Sequence, residues 1–152
     1  RDEQPPQRLV LLRLGVNTAH LRVISAESHL GGVVEILNAL KHGGIVSFMG
    51  DRPFDFETLP VRFLGGEARF PVGPFQIAAA AGCPMQVLLC ARTGYRHYRI
   101  DTTCRIEPAY RPGTPRRSQL QAWMQQYADS LEAFVRDHPF QCFLFADVWR
   151  AE

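Results

Sequence analysis

Gly43-Gly44-Ile45-Val46-Ser47-Phe48-Met49-Gly50-Asp51-Arg52-Pro53-Phe54 is the stretch on which the reading of this chain turns. Ile45, Val46, Phe48 and Met49 make a short apolar run between glycines. That pattern predicts a strand buried on both faces of a mostly parallel sheet. Gly50, Asp51 and Arg52 then stand just past its carboxyl end, the edge at which open α/β sheets bind ligands. Arg52 offers a planar, permanently charged fork for a phosphate or carboxylate, and Asp51 can orient it or accept a proton from a hydroxyl. By itself, Gly-Asp-Arg after a strand is more often a turn with a surface ion pair than a site.

Working outward, Leu21–Ser25 reads as a strand, and Arg8–Leu14 as a strand or a helix tail. From Ser28 the pattern is helical, with Val33, Val34, Leu37 and Leu40 on one face and Gly43-Gly44 as the stop. Strand, helix and strand over about thirty residues predict a right-handed parallel crossover. Downstream, Phe54–Leu59 reads as a loop, Leu59–Leu64 as a strand and Gly65-Gly66 as a tight turn. Phe70-Pro71-Val72-Gly73-Pro74 is a rigid turn opening a short alanine-rich helix to Ala81, whose free N–H groups suit an anion. Met85–Arg92 is a further buried strand. Tyr98, Ile100, Thr102, Cys104 and Ile106 alternate as a half-exposed antiparallel one. After the loop Pro108–Pro115, Thr114 as N-cap starts a helix to about Asp137, with Leu120, Trp123, Tyr127, Leu131 and Phe134 or Val135 as its apolar stripe. The aromatic tail Phe140–Trp149 is expected to close the sheet edge.

Composition bounds the function. The 152 residues fit one domain, and the 46% apolar and 21% charged fractions are those of a soluble globular protein. No apolar run approaches the ~20 residues of a membrane span. The opening Arg1-Asp2-Glu3-Gln4-Pro5-Pro6 is polar and lacks an initiating Met, which reads as a cut within a longer protein. A net charge of +2 gives no case for nucleic acid. Of the 17 basic residues only Lys41 is a lysine. Such arginine use suits anionic substrates or headgroups, and equally a biased genome composition. Cys83, Cys90, Cys104 and Cys142 have no zinc spacing and lie in apolar contexts, so buried free thiols are expected and no structural metal.

The longer pattern is more specific. G-G-I-V-S-F-M-G-D-R-P-F, then F-L-G-G-E-A-R-F-P-V-G-P-F-Q-I-A from Phe63, then G-C-P-M from Gly82, and H-P-F-Q-C-F-L-F-A-D-V-W from His138 occur in order. Together they resemble the carboxy-terminal half of the bacterial lipid A biosynthesis acyltransferases (lauroyl/myristoyl type), within the lysophospholipid acyltransferase-like superfamily. The resemblance covers roughly residues 23–149. Cys142 departs from it, since the family tends to have Trp around Gln141.

This resemblance implies a single α/β domain over 1–152, part of an acyltransferase fold: a mostly parallel central sheet, flanking helices and a long carboxy-terminal helix. It implies transfer of a fatty acyl group from an acyl thioester (acyl carrier protein or CoA) to a hydroxyl of a lipid or glycolipid acceptor. The thioester is a substrate, and no cofactor is implied. Gly50, Asp51 and Arg52 would face substrate, and Phe63, Gly65, Phe70, Gly73 and Pro74 would shape the acyl or acceptor pocket. Arg92, after the 85–91 strand, is a second anion candidate, with a structural ion pair as the alternative. A peripheral place on the cytoplasmic face of the inner membrane is implied as well.

The family's base is a His-x4-Asp or His-x4-Glu dyad, in which the carboxylate orients an imidazole that deprotonates the acceptor hydroxyl. His20, His29, His42, His97 and His138 all lack an acid five residues on, and Glu35 is six from His29. The chain therefore reads as the back half of the enzyme, inactive alone and without a catalytic residue of its own. Two alternatives stand beside it: a non-catalytic acyltransferase-like module that binds lipid or acyl carrier, and an unrelated α/β enzyme pairing Asp51 with His29. Absent partner strands would leave apolar surface able to drive dimerisation of the fragment.

Overall fold

The computed structural model describes residues 21–24, 31–51, 57–144 and 147–149. His29, Arg52, the Arg8–Leu14 segment and both Phe54 and Phe56 lie outside them. The chain divides into two compact units, Arg1–Val46 and Ser47–Glu152.

In the first unit, helix α1 spans Gly31–Lys41. It ends at the predicted glycines: Gly44 N–H donates to Ala39 O (2.9 Å) and Gly43 N–H to Leu40 O (3.1 Å), with Gly43 at φ 76°. This paired closure needs a left-handed residue after the helix, which glycine adopts without steric cost. A Cβ on Gly44 would lie 2.8 Å from Ala39 O. Arg22 and Glu35 form an exposed ion pair (3.3 Å), a weak contact in water.

The predicted parallel sheet is not what the chain forms. The described strands make three two-stranded antiparallel sheets: β1 (Thr58–Phe63) with β2 (Gly66–Pro71), β3 (Met85–Gln86) with β6 (Arg105–Ile106), and β4 (Leu89–Gly94) with β5 (His97–Asp101). Connection length explains two of the three, because a parallel pair needs a crossover of a dozen or more residues. Leu64-Gly65 joins β1 to β2 with both φ values positive (51° and 81°), and Tyr95-Arg96 joins β4 to β5. Turns of two residues permit only antiparallel return. Neither Leu21–Ile24 nor Gly44–Met49 is a strand, and Ile45 is 98% exposed. An apolar run supplies the material for a buried strand, yet among the described residues no partner strand flanks this one. The Met85–Arg92 strand is likewise broken at Val87-Leu88, with Leu88 exposed.

The core of the second unit is built on the β1–β2 hairpin. Leu59, Val61 and Phe63 alternate inward on β1, and Ala68 and Phe70 oppose them from β2. Helix α2 (Gly73–Ala81) adds Phe75 and stops at Gly82 (φ 64°). Helix α3 (Arg116–Asp137) lays Leu120, Trp123, Met124, Ala128, Leu131 and Val135 over the same face. Each fully buried large side chain contributes about 1.5–3 kcal/mol, so this sandwich of helix on hairpin dominates the unit's stability. Pro115, rather than Thr114, occupies the N-cap position of α3, and no side chain caps it. The Thr114 carbonyl instead accepts Gln119 Nε2 (2.8 Å).

Both free edges of this hairpin are covered. Gln125 on α3 accepts Arg62 N–H and donates to Arg62 O (both 2.9 Å). Gln121 donates to Pro60 O (3.1 Å), and Glu132 accepts Leu64 N–H (2.6 Å). A polar stripe of α3 thus takes the place of a third strand along β1. Across the hairpin, Arg69 N–H donates to Val148 O (2.7 Å), so the tail meets the β2 edge. Trp149 stacks on Phe63 (5.9 Å, 18°) and donates its indole N–H to Phe63 O (3.3 Å). The four cysteines are free, as their apolar contexts lead one to expect, but they are not buried: Cys90 is exposed and the others are half-buried.

Candidate functional site

Gly50 and Asp51 belong to the second unit and sit over its core at Tyr127. A Cβ built on Gly50 would come 3.0 Å from Tyr127 Cζ and 3.2 Å from its hydroxyl. Only glycine lets the backbone come this close without displacing the ring. Tyr127 in turn meets Phe70 (5.8 Å, 63°) and Phe75 (6.2 Å, 66°) edge-on. Phe63 tilts against Phe70 at 5.6 Å. The half-buried Asp51 is therefore carried on a turn seated on an aromatic platform drawn from β1, β2, α2 and α3.

The electrostatics of this platform favour one protonation state. Burial pushes the Tyr127 phenol above its ordinary range, and the Asp51 carboxylate adds to the shift by disfavouring a second negative charge. Tyr127 thus keeps its proton at neutral pH. Among the described residues its hydroxyl has no hydrogen-bond partner. Tyrosine hydroxyls usually find one when buried.

The other expected site residues take varied places. Phe63, Phe70 and Pro74 are buried, the two rings as members of the platform itself. Gly65 is in the exposed β1–β2 turn. Gly73 is the first residue of α2, and a Cβ there would meet nothing. The start of α2 is short of donors, since Val72 N–H is taken by Glu57 O, Pro74 has none and Phe75 donates to Val72 O. Arg92 is on the exposed β4–β5 hairpin, its Nε folded onto Gly94 O (3.0 Å). Among the described residues Arg92 has no ion-pair partner.

The helical period places Tyr127 in the apolar stripe of α3 and gives it no further role. One signal was available: it is the sole hydroxyl-bearing member of that stripe. Its proximity to Gly50 is set by tertiary packing, about which a helical period says nothing. Among the described residues no three His, Cys, Asp or Glu side chains converge as a metal-holding group. None of the described helices is long and apolar enough to cross a membrane.

A family model described as bacterial lipid A biosynthesis acyltransferase matches residues 12–151, nearly the whole chain. No curated protein matches it.

Proposed function

The chain belongs to the bacterial lipid A biosynthesis acyltransferase family, and from that premise we propose that it is the carboxy-terminal, substrate-holding part of an acyltransferase. The reaction moves a fatty acyl group from an acyl thioester, on acyl carrier protein or CoA, to a hydroxyl of a glycolipid acceptor. A base takes the hydroxyl proton, the oxygen attacks the thioester carbonyl, the new C–O bond forms as C–S breaks, and the thiolate leaves with a proton. No histidine here has an acid at the required spacing, so the base comes from polypeptide beyond these residues. The protein acts peripherally at the cytoplasmic face of the inner membrane.

The match over residues 12–151 carries this reading. The Gly50–Asp51 turn on its aromatic seat supports the assignment of substrate-facing roles. Asp51 accepts a hydrogen bond from a substrate hydroxyl, Arg52 holds a phosphate bidentately, and Arg92 remains a second anion contact.

The test uses the full natural polypeptide containing these residues, with acyl carrier protein and CoA thioesters as donors and a phosphorylated glycolipid as acceptor. Acyl transfer followed by mass spectrometry is expected, with Asp51→Asn and Arg52→Ala each lowering kcat/KM by at least about tenfold, the loss of a charge-assisted contact. An upstream reading frame without His-x4-Asp/Glu, together with thioester binding but no transfer, would replace this reading with that of a non-catalytic binding module. The absence of a dyad within the chain is what favours that second reading.

A further inference from the structure

The Gly50–Asp51 turn rests on a ring and has no polar tie to the elements beneath it. No hydrogen bond or ion pair joins residues 47–51 to the β1–β2 hairpin, α2 or α3. A Cβ on Gly50 would instead stand 3.0, 3.2 and 3.3 Å from Cζ, the hydroxyl and Cε1 of Tyr127, its three nearest atoms. The bare Cα of Gly50 therefore lies against the hydroxyl end of that ring, and packing there takes the part that hydrogen bonds play elsewhere.

Tyr127 is itself held. Phe70 and Phe75 meet it edge-on from β2 and α2, and both are buried. Met124 and Leu131, each one turn away on α3, are buried as well. In a close-packed interior such a ring does not swing aside without opening space around it. Asp51, the next residue along the turn, is within electrostatic reach of the same ring, because its carboxylate adds to the upward push of burial on the phenol. A binding carboxylate works only when a packed support holds it close to its productive place.

We propose that Tyr127 is a positioning residue of the acyl-transfer site, its ring against Gly50 fixing the place from which the Asp51 carboxylate meets the substrate hydroxyl. The inference rests on the reading that gives Asp51 that role. Tyr127 touches no substrate in this account and acts through Asp51 alone. The ring matters more than the hydroxyl, since the ring carbons supply two of the three closest approaches to Gly50. A core residue that only fills space would support the fold equally whether or not Asp51 keeps its charge, and that difference can be measured.

Steady-state acyl transfer by the full natural polypeptide containing these residues tests it, with wild type, Tyr127→Leu, Asp51→Asn and the double variant side by side. Tyr127→Leu should lower kcat/KM about tenfold, as Asp51→Asn does, since a residue acting through Asp51 removes no more than Asp51 supplies. Both single variants should divide that loss between kcat and the acceptor KM in the same proportion. The double variant should fall no further than Asp51→Asn, the non-additivity of two groups that serve one contact. Tyr127→Phe keeps the ring and should keep most of the activity. Gly50→Ala leaves the aromatic core in place and should reproduce the loss, which keeps the test open if circular dichroism shows Tyr127→Leu unfolded. Equal factors of loss from Tyr127→Leu with and without Asp51→Asn, or full activity in Gly50→Ala, overturn the proposal and leave the role of Asp51 standing. No transfer by wild type, or no loss in Asp51→Asn, removes the substrate role of Asp51 and this inference with it.

Discussion

Two antiparallel hairpins of similar length meet different fates in this protein. β1–β2 has its aromatic face pressed against α3, one edge bonded by Gln121, Gln125 and Glu132, and the other met by Val148. β4–β5 has one face open and only the Arg92 position of its β4 edge clamped by a glutamine. Apolar residues alternate along both, so alternation does not distinguish them. What does is whether another element supplies both apolar cover and hydrogen bonds to the outward backbone groups. The first hairpin is the scaffold of the unit, and the second is largely exposed among the described residues.

The largest expected effect separates the hairpins by burial. Phe70→Ala removes a fully buried ring and should cost about 3–5 kcal/mol in urea unfolding, whereas Tyr98→Ala should stay within about 0.5 kcal/mol of wild type. Comparable losses at the two positions would mean that Tyr98 is covered, and the contrast would collapse.

A smaller effect tests the clamps. Gln125→Ala removes two bonds to Arg62 and should cost about 1 kcal/mol. Gln141→Ala removes the same two bonds from Arg92 and should cost less, since Gln125 belongs to a row of α3 contacts that support one another. Amide hydrogen exchange checks the local consequence, with Arg62 N–H quickened by the first substitution and Arg92 N–H by the second.

The smallest effect is in pH. Glu132 lies below its ordinary 4.5, held there by the Arg136 guanidinium first and by Leu64 N–H second. A depressed carboxylate contributes stability above its unfolded value and loses it as pH falls through the folded one. Wild-type Tm should therefore decline on acidification below about pH 4.5, and Glu132→Gln should flatten that decline. An unchanged slope would show that this contact with the β1–β2 turn adds nothing beyond packing.

Local chemistry made several features legible in advance. The stops of α1 and α2 at Gly43 and Gly82 and most of the buried stripe of α3 depend on nearest neighbours or a 3.6-residue period, whereas the one strand expected over Tyr98–Ile106 is broken into His97–Asp101 and Arg105–Ile106, with Tyr98 and Ile100 exposed. The strand Gly66–Pro71 lies between two segments whose residues signal turns, Gly65-Gly66 and Phe70–Pro74, and Glu67–Arg69 alone is too short to signal a strand. The polar stripe of α3 carries no sequence signal of its role, since no sequence period says that Gln125 will find Arg62 sixty-three residues away. The ordered blocks from Gly43 to Trp149 placed the chain in its family, which no single element could have done.

The amino-acid sequence alone determined the family, the helix ends and the set of residues with chemistry to offer, because those depend on residue identity and short spacing. The tertiary structure alone decided strand direction, the seating of Gly50 on Tyr127 and which hairpin is left bare. Each of these depends on which distant groups satisfy a given backbone or cover a given face. Every apolar alternation asks for such partners, and none names them.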